Sequence, residues 1–438
     1  MSLTTHSNID FNGNKIQKAL SEKITYYASP TGTGDGLTSG SPDTLANILA
    51  KLDANAHYEI QMQTGFHNLG TTAVSLNNLN FVRFVGISGT PTICTEHTKS
   101  ANISTVITGS PSDSQTCTAH SYDEYPLDIQ DSNVEFDGIS ILGTSNCIKI
   151  NGGSIRFSGS SKLYFWIYDS DTEAYGLIAE DSEIRCDDTL YIYGYHNETT
   201  SKTLYAADFN ASRFNLNNVI TEFSHKGSGA SSAMTFNNSA NGRIAGYIQV
   251  LNQYRCMLLS NSRVSINEIR LNSASEPFTI CISATENSDI TITPNVNWQT
   301  GTNIVEATTY FLDAQSNSSI TCGSGSYNVY CRGVNTVTNG YAFNAIEHGN
   351  IHIRNTTIYA ENRASNLGFE VGIFCNKNST VTASSLTLTT RQGGDDEFVQ
   401  SGNLSSVVVS SGTRTTTNHE TVWNGGRYVD STGTLYDS

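Results

Sequence analysis

The sequence predicts an all-β chain wound into a parallel β-helix, a solenoid of about eleven or more coils with a short capping helix near its start. A degenerate repeat, an alternation of period two within it and a turn-rich composition carry that prediction. Cut at each polar cluster that precedes an apolar residue, the chain reads "QDSNVEF", "NGGSIRF", "AEDSEIRC", "FNASRFNL", "SANGRIAG", "SNSRVSIN", "TENSDITI", "SNSSITC", "EHGNIHI", "NKNSTVTA" and "GNLSSVVV". The residue after the cluster is Val134, Ile155, Ile184, Phe214, Ile244, Val264, Ile290, Ile320, Ile351, Val381 and Val407. It is apolar every time, although apolar residues make up only 37% of the chain. Successive cuts lie 20 to 31 residues apart and average about 27, inside the window of solenoid repeats. Two positions further on stand Phe136, Phe157, Cys186, Leu216, Gly246, Ile266, Ile292, Cys322, Ile353, Ala383 and Val409, the period-two inward face of a strand.

Each element follows in order. Residues 1–25, which include "SNIDFNGNKIQKAL", form an N-terminal segment without export character, because Asp10, Asn12, Asn14, Lys15 and Lys18 interrupt any apolar run. Residues 26–125 form the entry to the solenoid. Within them "SPDTLANILAKL" reads as a capping helix over 42–53: Ser41 suits the N-cap, Pro42 the first helical position, and Leu45, Ile48, Leu49 and Leu52 share a face. Such a helix would cover the first coil, whose edge is otherwise open. Residues 126–412 are the coils, and 413–438 leave their rhythm as a tail or cap. Asn-Gly pairs at Asn151-Gly152, Asn241-Gly242, Asn339-Gly340 and Asn424-Gly425 keep a β-sandwich built on hairpins as the rival fold.

Composition bounds the partners. With 24 Lys and Arg against 40 Asp and Glu, the net charge of −16 disfavours nucleic acid and anionic membrane surfaces. No stretch of 18 apolar residues exists, so no membrane insertion by a helix is expected. The nine cysteines are scattered singly, which predicts reduced, mostly buried thiols rather than a disulfide frame or a zinc site. No cofactor pattern is present: there is no P-loop, no dinucleotide glycine motif, no G-x-S-x-G and no H-E-x-x-H.

"NIDFNGNKIQKA" resembles the short motif that opens many bacteriophage tail-fibre and tailspike proteins. "YYASPTGTGDGLTSGSPDTLANILAKL" is similar to the entry segment of pectate-lyase-like right-handed β-helices, including those of tailspikes. The two cover residues 8 to 53. The resemblance implies a virion component assembled in the host cytoplasm: a homotrimer joined to other tail or baseplate proteins through residues 1–25, its right-handed β-helix meeting a host surface polysaccharide. It leaves open whether that glycan is bound or also cleaved by a hydrolase or lyase of the same fold. A secreted bacterial β-helix or adhesin is a third reading, set back by the absent export signal.

Cleavage would require paired carboxylates, or a base with a neutralising cation. "YFWIYDSDTEAY" offers Asp169, Asp171 and Glu173 alternating along an expected extended loop, beside Trp166, Tyr168 and Tyr175. Tyr193 and Tyr195 in "YIYGYHNE" add aromatic faces for stacking on sugar rings. Asp169, Asp171 and Glu173 are therefore the candidate catalytic acids, and Trp166, Tyr168, Tyr175, Tyr193 and Tyr195 the candidate glycan contacts. No metal ligands are assigned. Glu180, Glu286 and Glu347, each four residues before the apolar position, form a weaker candidate column, with His348 beside Glu347. The aspartic-acid and arginine pattern of calcium-dependent pectate lyases is absent, so no catalytic residue passes from that family.

Overall fold

A computed structural model of the chain describes residues 9–11, 14–16, 23–54, 56–69, 73–86, 105–108, 125–143, 146–167, 173–196, 203–225, 231–251, 255–272, 278–295, 305–323, 327–333, 341–362, 371–388, 397–410, 420–429 and 434–437. Between Lys23 and Val429 the described strands pair in parallel, each with the strand one coil on. A parallel β-helix is therefore the fold, and the β-sandwich falls with its hairpins. Asn151-Gly152 and Asn424-Gly425 sit at corners between parallel rungs, with Gly152 at φ 73° and Gly425 at φ 75°. Asn241-Gly242 opens a strand, and Asn339-Gly340 lies outside the described residues.

One coil shows the plan. Strand Glu173–Glu180 forms the first face and turns a tight corner at Asp181 and Ser182. Glu183–His196 then lays down the second face, bends at a bulge between Cys186 and Thr189, and continues as the third face. The next coil repeats this with Thr203–Asn210 and Arg213–His225. Inward residues of the three faces make one continuous apolar core, in which Phe84 stacks on Phe136 at 5.2 Å and Phe136 on Phe157 at 5.8 Å.

The apolar column runs as the repeat predicts: Val134, Ile155, Ile184 and Phe214 are in register, as are Val264, Ile290, Ile320, Ile351, Val381 and Val407. It also extends beyond the repeats, through Ile24, Tyr58 and Val82 before them and Tyr428 after. One rung differs. Gly242, not Ile244, stands between Phe214 and Val264, while Ile244 pairs with Leu216 and Ile266, and Gly246 falls at the bulge instead of facing inward. The cause is steric: the Phe214 ring packs 5.0 Å from both Phe209 and Phe236, and a Cβ on Gly242 would lie 2.7 Å from its Cγ.

The polar clusters are the corners. Asp181, Ala211 and Asn261 adopt φ near +50°, as do the pairs Glu286-Asn287, Ser316-Asn317, Glu347-His348 and Lys377-Asn378 at φ 52 to 65°. This left-handed turn aims a backbone N–H along the rod: Asn287 N donates to Ser316 O at 2.9 Å, Asn317 N to Glu347 O at 2.9 Å, and Asn378 N to Asn403 O at 2.9 Å. The next residue is a buried serine at all of these corners except that of Glu347-His348, where it is Gly349. The Ser262 N–H donates to Ser288 Oγ at 3.1 Å, the Ser288 N–H to Ser318 Oγ at 3.0 Å, and the Ser379 N–H to Ser405 Oγ at 3.1 Å. The Ser262, Ser288 and Ser379 hydroxyls in turn donate to a carbonyl of their own coil, Ser288 to Thr285 O at 2.6 Å.

The capping helix forms but is shorter than its sequence pattern. It spans Leu45–Leu49, with Thr44 as N-cap, its hydroxyl accepting from Asn47 N at 3.3 Å. Ser41 and Pro42 precede it as extended chain, because the Asp43 backbone is held to Tyr27 O and the Asp43 carboxylate to Thr44 N, Asn47 Nδ2 and Lys51 Nζ. Leu45 and Ile48 are buried against the first coil. Ile9–Phe11 pairs antiparallel with Asn14–Ile16, apart from the main sheet. At the other end Leu435–Asp437 folds back antiparallel on Arg427–Val429. No helix among the described residues is long and apolar enough to cross a membrane.

Cys147, Cys186, Cys256, Cys281, Cys322 and Cys375 are buried and form no disulfide. Burial pushes Cys147, Cys322 and Cys375 up to about 12 and Cys186 up to about 11. A neutral aqueous thiol reagent is expected to label in the native protein none of these six, only cysteines among Cys94, Cys117 and Cys331, and all nine after unfolding. Ser288→Ala leaves the Ser262 N–H without an acceptor in the interior. It is expected to lower unfolding free energy by about 1–3 kcal/mol in a urea titration, whereas an exposed serine to alanine stays within about 0.5 kcal/mol.

Candidate functional site

Two outward surfaces carry chemistry: the first face around Glu173 and Tyr175, and a groove on the second face near the N-terminal end. Of the sequence-predicted residues, Tyr168, Asp169 and Asp171 lie outside the described residues. Trp166 and Tyr195 are in register on neighbouring third-face strands. Tyr193, on the same strand as Tyr195, stacks on Tyr164 at 5.0 Å and on Tyr191 at 6.1 Å. Burial, with Glu222 nearby, pushes its phenol up to about 12.

Glu173 begins a strand instead of ending a loop, which places it and Tyr175 on the first face, round the corner from Tyr193. Its carboxylate accepts from the Tyr175 hydroxyl at 2.6 Å. The Tyr175 ring stacks on Tyr205 of the next coil at 4.7 Å and 8°, and burial together with that carboxylate drives its phenol far above the ordinary range. The register brings in residues the sequence pattern did not single out. Tyr205 is followed by Ser232 and then Arg255 in one column, and Asp208 by Thr235 in the neighbouring one, with Ser232 and Thr235 themselves buried. Among the described residues Ser232 Oγ and Arg255 Nε have no hydrogen-bond partner. Asp208 accepts from Thr235 Oγ1 at 2.6 Å and Asn237 Nδ2 at 2.9 Å. Burial nevertheless raises its carboxyl above the usual range, against those hydrogen bonds and with help from the charges of Glu180 and Glu173. A carboxyl held toward its protonated form, beside stacked tyrosines, is what a general acid at a sugar site requires.

The glutamate column does not hold together. Glu286 and Glu347 occupy left-handed corner positions, whereas Glu180 ends a strand because its corner has one such residue, not two. Glu347 takes Lys377 Nζ at 2.6 Å and Ser316 Oγ at 3.1 Å, which hold its carboxyl below the ordinary range, and it does not pair with His348. Glu286 accepts from Ser260 Oγ at 2.5 Å. These are corner contacts between coils.

The second-face groove encloses about 570 Å³ and is lined by His57, Asn80, Phe81, Asn133, Glu135, Ser154, Arg156, Glu183 and Arg185. Outward positions of successive rungs build it: His57 is opposite Phe81, Ser154 opposite Glu183, and Arg156 opposite Arg185. The His57 and Phe81 rings meet edge-on at 5.8 Å and 61°. Beside them Arg83 lies 2.5 Å from Asp137, 3.3 Å from Glu135 and 3.6 Å from Glu59. Arg156 lies 3.6 Å from Glu135 on the other side and bonds Asp187. Lys23, 2.8 Å from Glu59, holds that carboxyl below its ordinary range. The groove acids are thus paired with cations, which suits binding better than proton donation. Sequence reasoning passed over this groove because its residues belong to coils far apart in the chain. Among the described residues no group of His, Cys, Asp and Glu is placed to hold a metal.

No family model matches the chain, and no curated protein matches it in sequence. Among solved structures it is similar to the crystal structure of pectate lyase Pel9A, with 11% identity over 72% of this chain and 80% of that one and a TM-score of 0.32. No residue of the chain takes a role from that overlap.

Arg83→Met strips the shared cation from Glu59, Glu135 and Asp137. With the arginine side chain 36% exposed, solvent screens part of the effect. A loss of about 1–3 kcal/mol in unfolding free energy is expected at pH 7. Urea titrations of the parent and the variant would measure it.

Proposed function

We propose that the chain is the receptor-binding part of a phage tail fibre or tailspike, which attaches to the host through its surface polysaccharide. The groove lined by Phe81 and His57 carries this reading. It has an exposed aromatic edge for the apolar face of a sugar ring, and Asn80, Asn133, Ser154 and Arg156 converge on it as hydroxyl partners, all but Asn80 held on strands. The N-terminal motif in residues 8–19 supports the tail assignment. In this reading residues 1–25 join the chain to other tail proteins, and the rod works as a homotrimer in the virion.

A second reading, cleavage of the same glycan, is favoured by Asp208. In it Asp208 is the general acid on the first face, Glu173, Asp169 and Asp171 are the further carboxylates, and Tyr175 and Tyr205 are the stacking platform. Purified protein incubated with capsule, lipopolysaccharide and exopolysaccharide of candidate hosts is expected to bind one of them. Phe81→Ala should weaken that binding about tenfold, as loss of an aromatic contact at a binding hot spot does. If every preparation fails to bind, the receptor reading is wrong. If new reducing ends or unsaturated uronates appear, cleavage is added, and Asp208→Asn should abolish it without changing binding.

A further inference from the structure

On five successive coils the second face presents one outward arginine each: Arg156, Arg185, Arg213, Arg243 and Arg263. They occupy two adjacent columns. Arg156 is opposite Arg185 and Asn215 opposite Arg243 in one; Glu183 is opposite Arg213 and Asn241 opposite Arg263 in the other. All five alternate with the buried positions beside them and point to solvent; the side chains of Arg156, Arg185 and Arg263 are 52%, 58% and 74% exposed. Three have carboxylate neighbours, Asp187 for Arg156, Glu183 for Arg185 and Asp289 for Arg263 at 3.5 Å. Arg213 and Arg243 have no ion pair among the described residues, and Arg243 Nε reaches only Asn215 Oδ1 at 3.2 Å.

In a chain with 24 cations against 40 anions, such a strip is not explained by solubility, which the acids already provide. Guanidinium groups present a planar fork that matches a carboxylate, sulfate or phosphate. The coils advance about 4.8 Å each, close to the advance of one pyranose along an extended polysaccharide. The strip is also continuous with the groove, which shares Arg156 and Arg185.

We propose that this strip binds an acidic polysaccharide laid along the rod axis, its anionic groups taken by the arginines of successive coils. The proposal rests on the receptor reading above and adds the class of glycan. Duplex DNA is the competing polyanion, and the overall charge of −16 opposes so wide and densely charged a partner.

The test uses the full chain and the double variant Arg213→Gln/Arg243→Gln, with alginate, neutral dextran, duplex DNA and the host glycan as probes, in biolayer interferometry at two salt concentrations. Alginate is expected to bind and dextran not, with affinity falling as salt rises. The double variant should bind alginate and host glycan about tenfold more weakly, with a shallower salt dependence and an unchanged unfolding midpoint. Dextran binding as tightly as alginate, DNA binding as tightly as alginate, or a double variant indistinguishable from the parent would each overturn the strip. Host glycan retained equally by parent and variant overturns the strip alone, whereas no host glycan bound by the parent overturns the receptor reading itself.

Discussion

The corner hydrogen bond between coils is the constraint on which the rest depends. A strand that must return to stack on itself has to turn sharply, and a sharp turn leaves backbone N–H groups aimed out of its own coil. Here the left-handed residue sends its N–H to the corner carbonyl of the next coil, and the following N–H goes to a serine hydroxyl of that coil. Leaving one such buried donor unmade costs about 1–3 kcal/mol, so the coils are locked at one spacing and one register. Gly349 keeps the pattern at a corner where its own hydroxyl is missing: its N–H still reaches Ser379 Oγ at 3.1 Å, and a Cβ there would fall 2.0 Å from Ala314 O.

Register fixed at the corner decides what each face shows. Because strand residues alternate, the position after the corner residue points outward on each coil, the next inward, and the next outward again. Whatever residue type recurs at those outward positions becomes a straight line along the rod. Tyr175 over Tyr205 and Tyr310 over Tyr341 are such lines on the first face, and the arginines are another on the second. The fold thus turns a repeat in sequence into a repeat in space at about 4.8 Å, a geometry matched to polymers.

The variable part of each coil is the connection from the third face to the first, where Trp166 leads toward Glu173 and Tyr195 toward Thr203. The larger length differences between repeats fall between those strands, while the corners and bulges add or drop a residue or two. Length can vary between those strands without disturbing the ladder, so the first face, with Tyr175, Asp208 and Arg255, is where chemistry can be changed at least cost to the core.

By itself the sequence determined the coil, because a buried strand position tolerates only apolar side chains and a left-handed corner favours Asn, Asp and Ser; both are local demands that recur visibly. It misplaced Ile244 by two residues, since only the Phe214 ring packed from the preceding coil shows why a glycine must stand in that column. It also started the capping helix early, because the tie from Asp43 to Tyr27 is not local. The arginines were already in view as "SIRF", "EIRC", "ASRF", "NGRI" and "SRV" within the repeats. That they form one strip, that Phe81 and His57 share a groove with Arg156, and that Glu173 lies on the first face with Asp208 were decided by the tertiary structure alone. Such neighbours are a full coil apart in the chain, and only the stacking of coils brings them together.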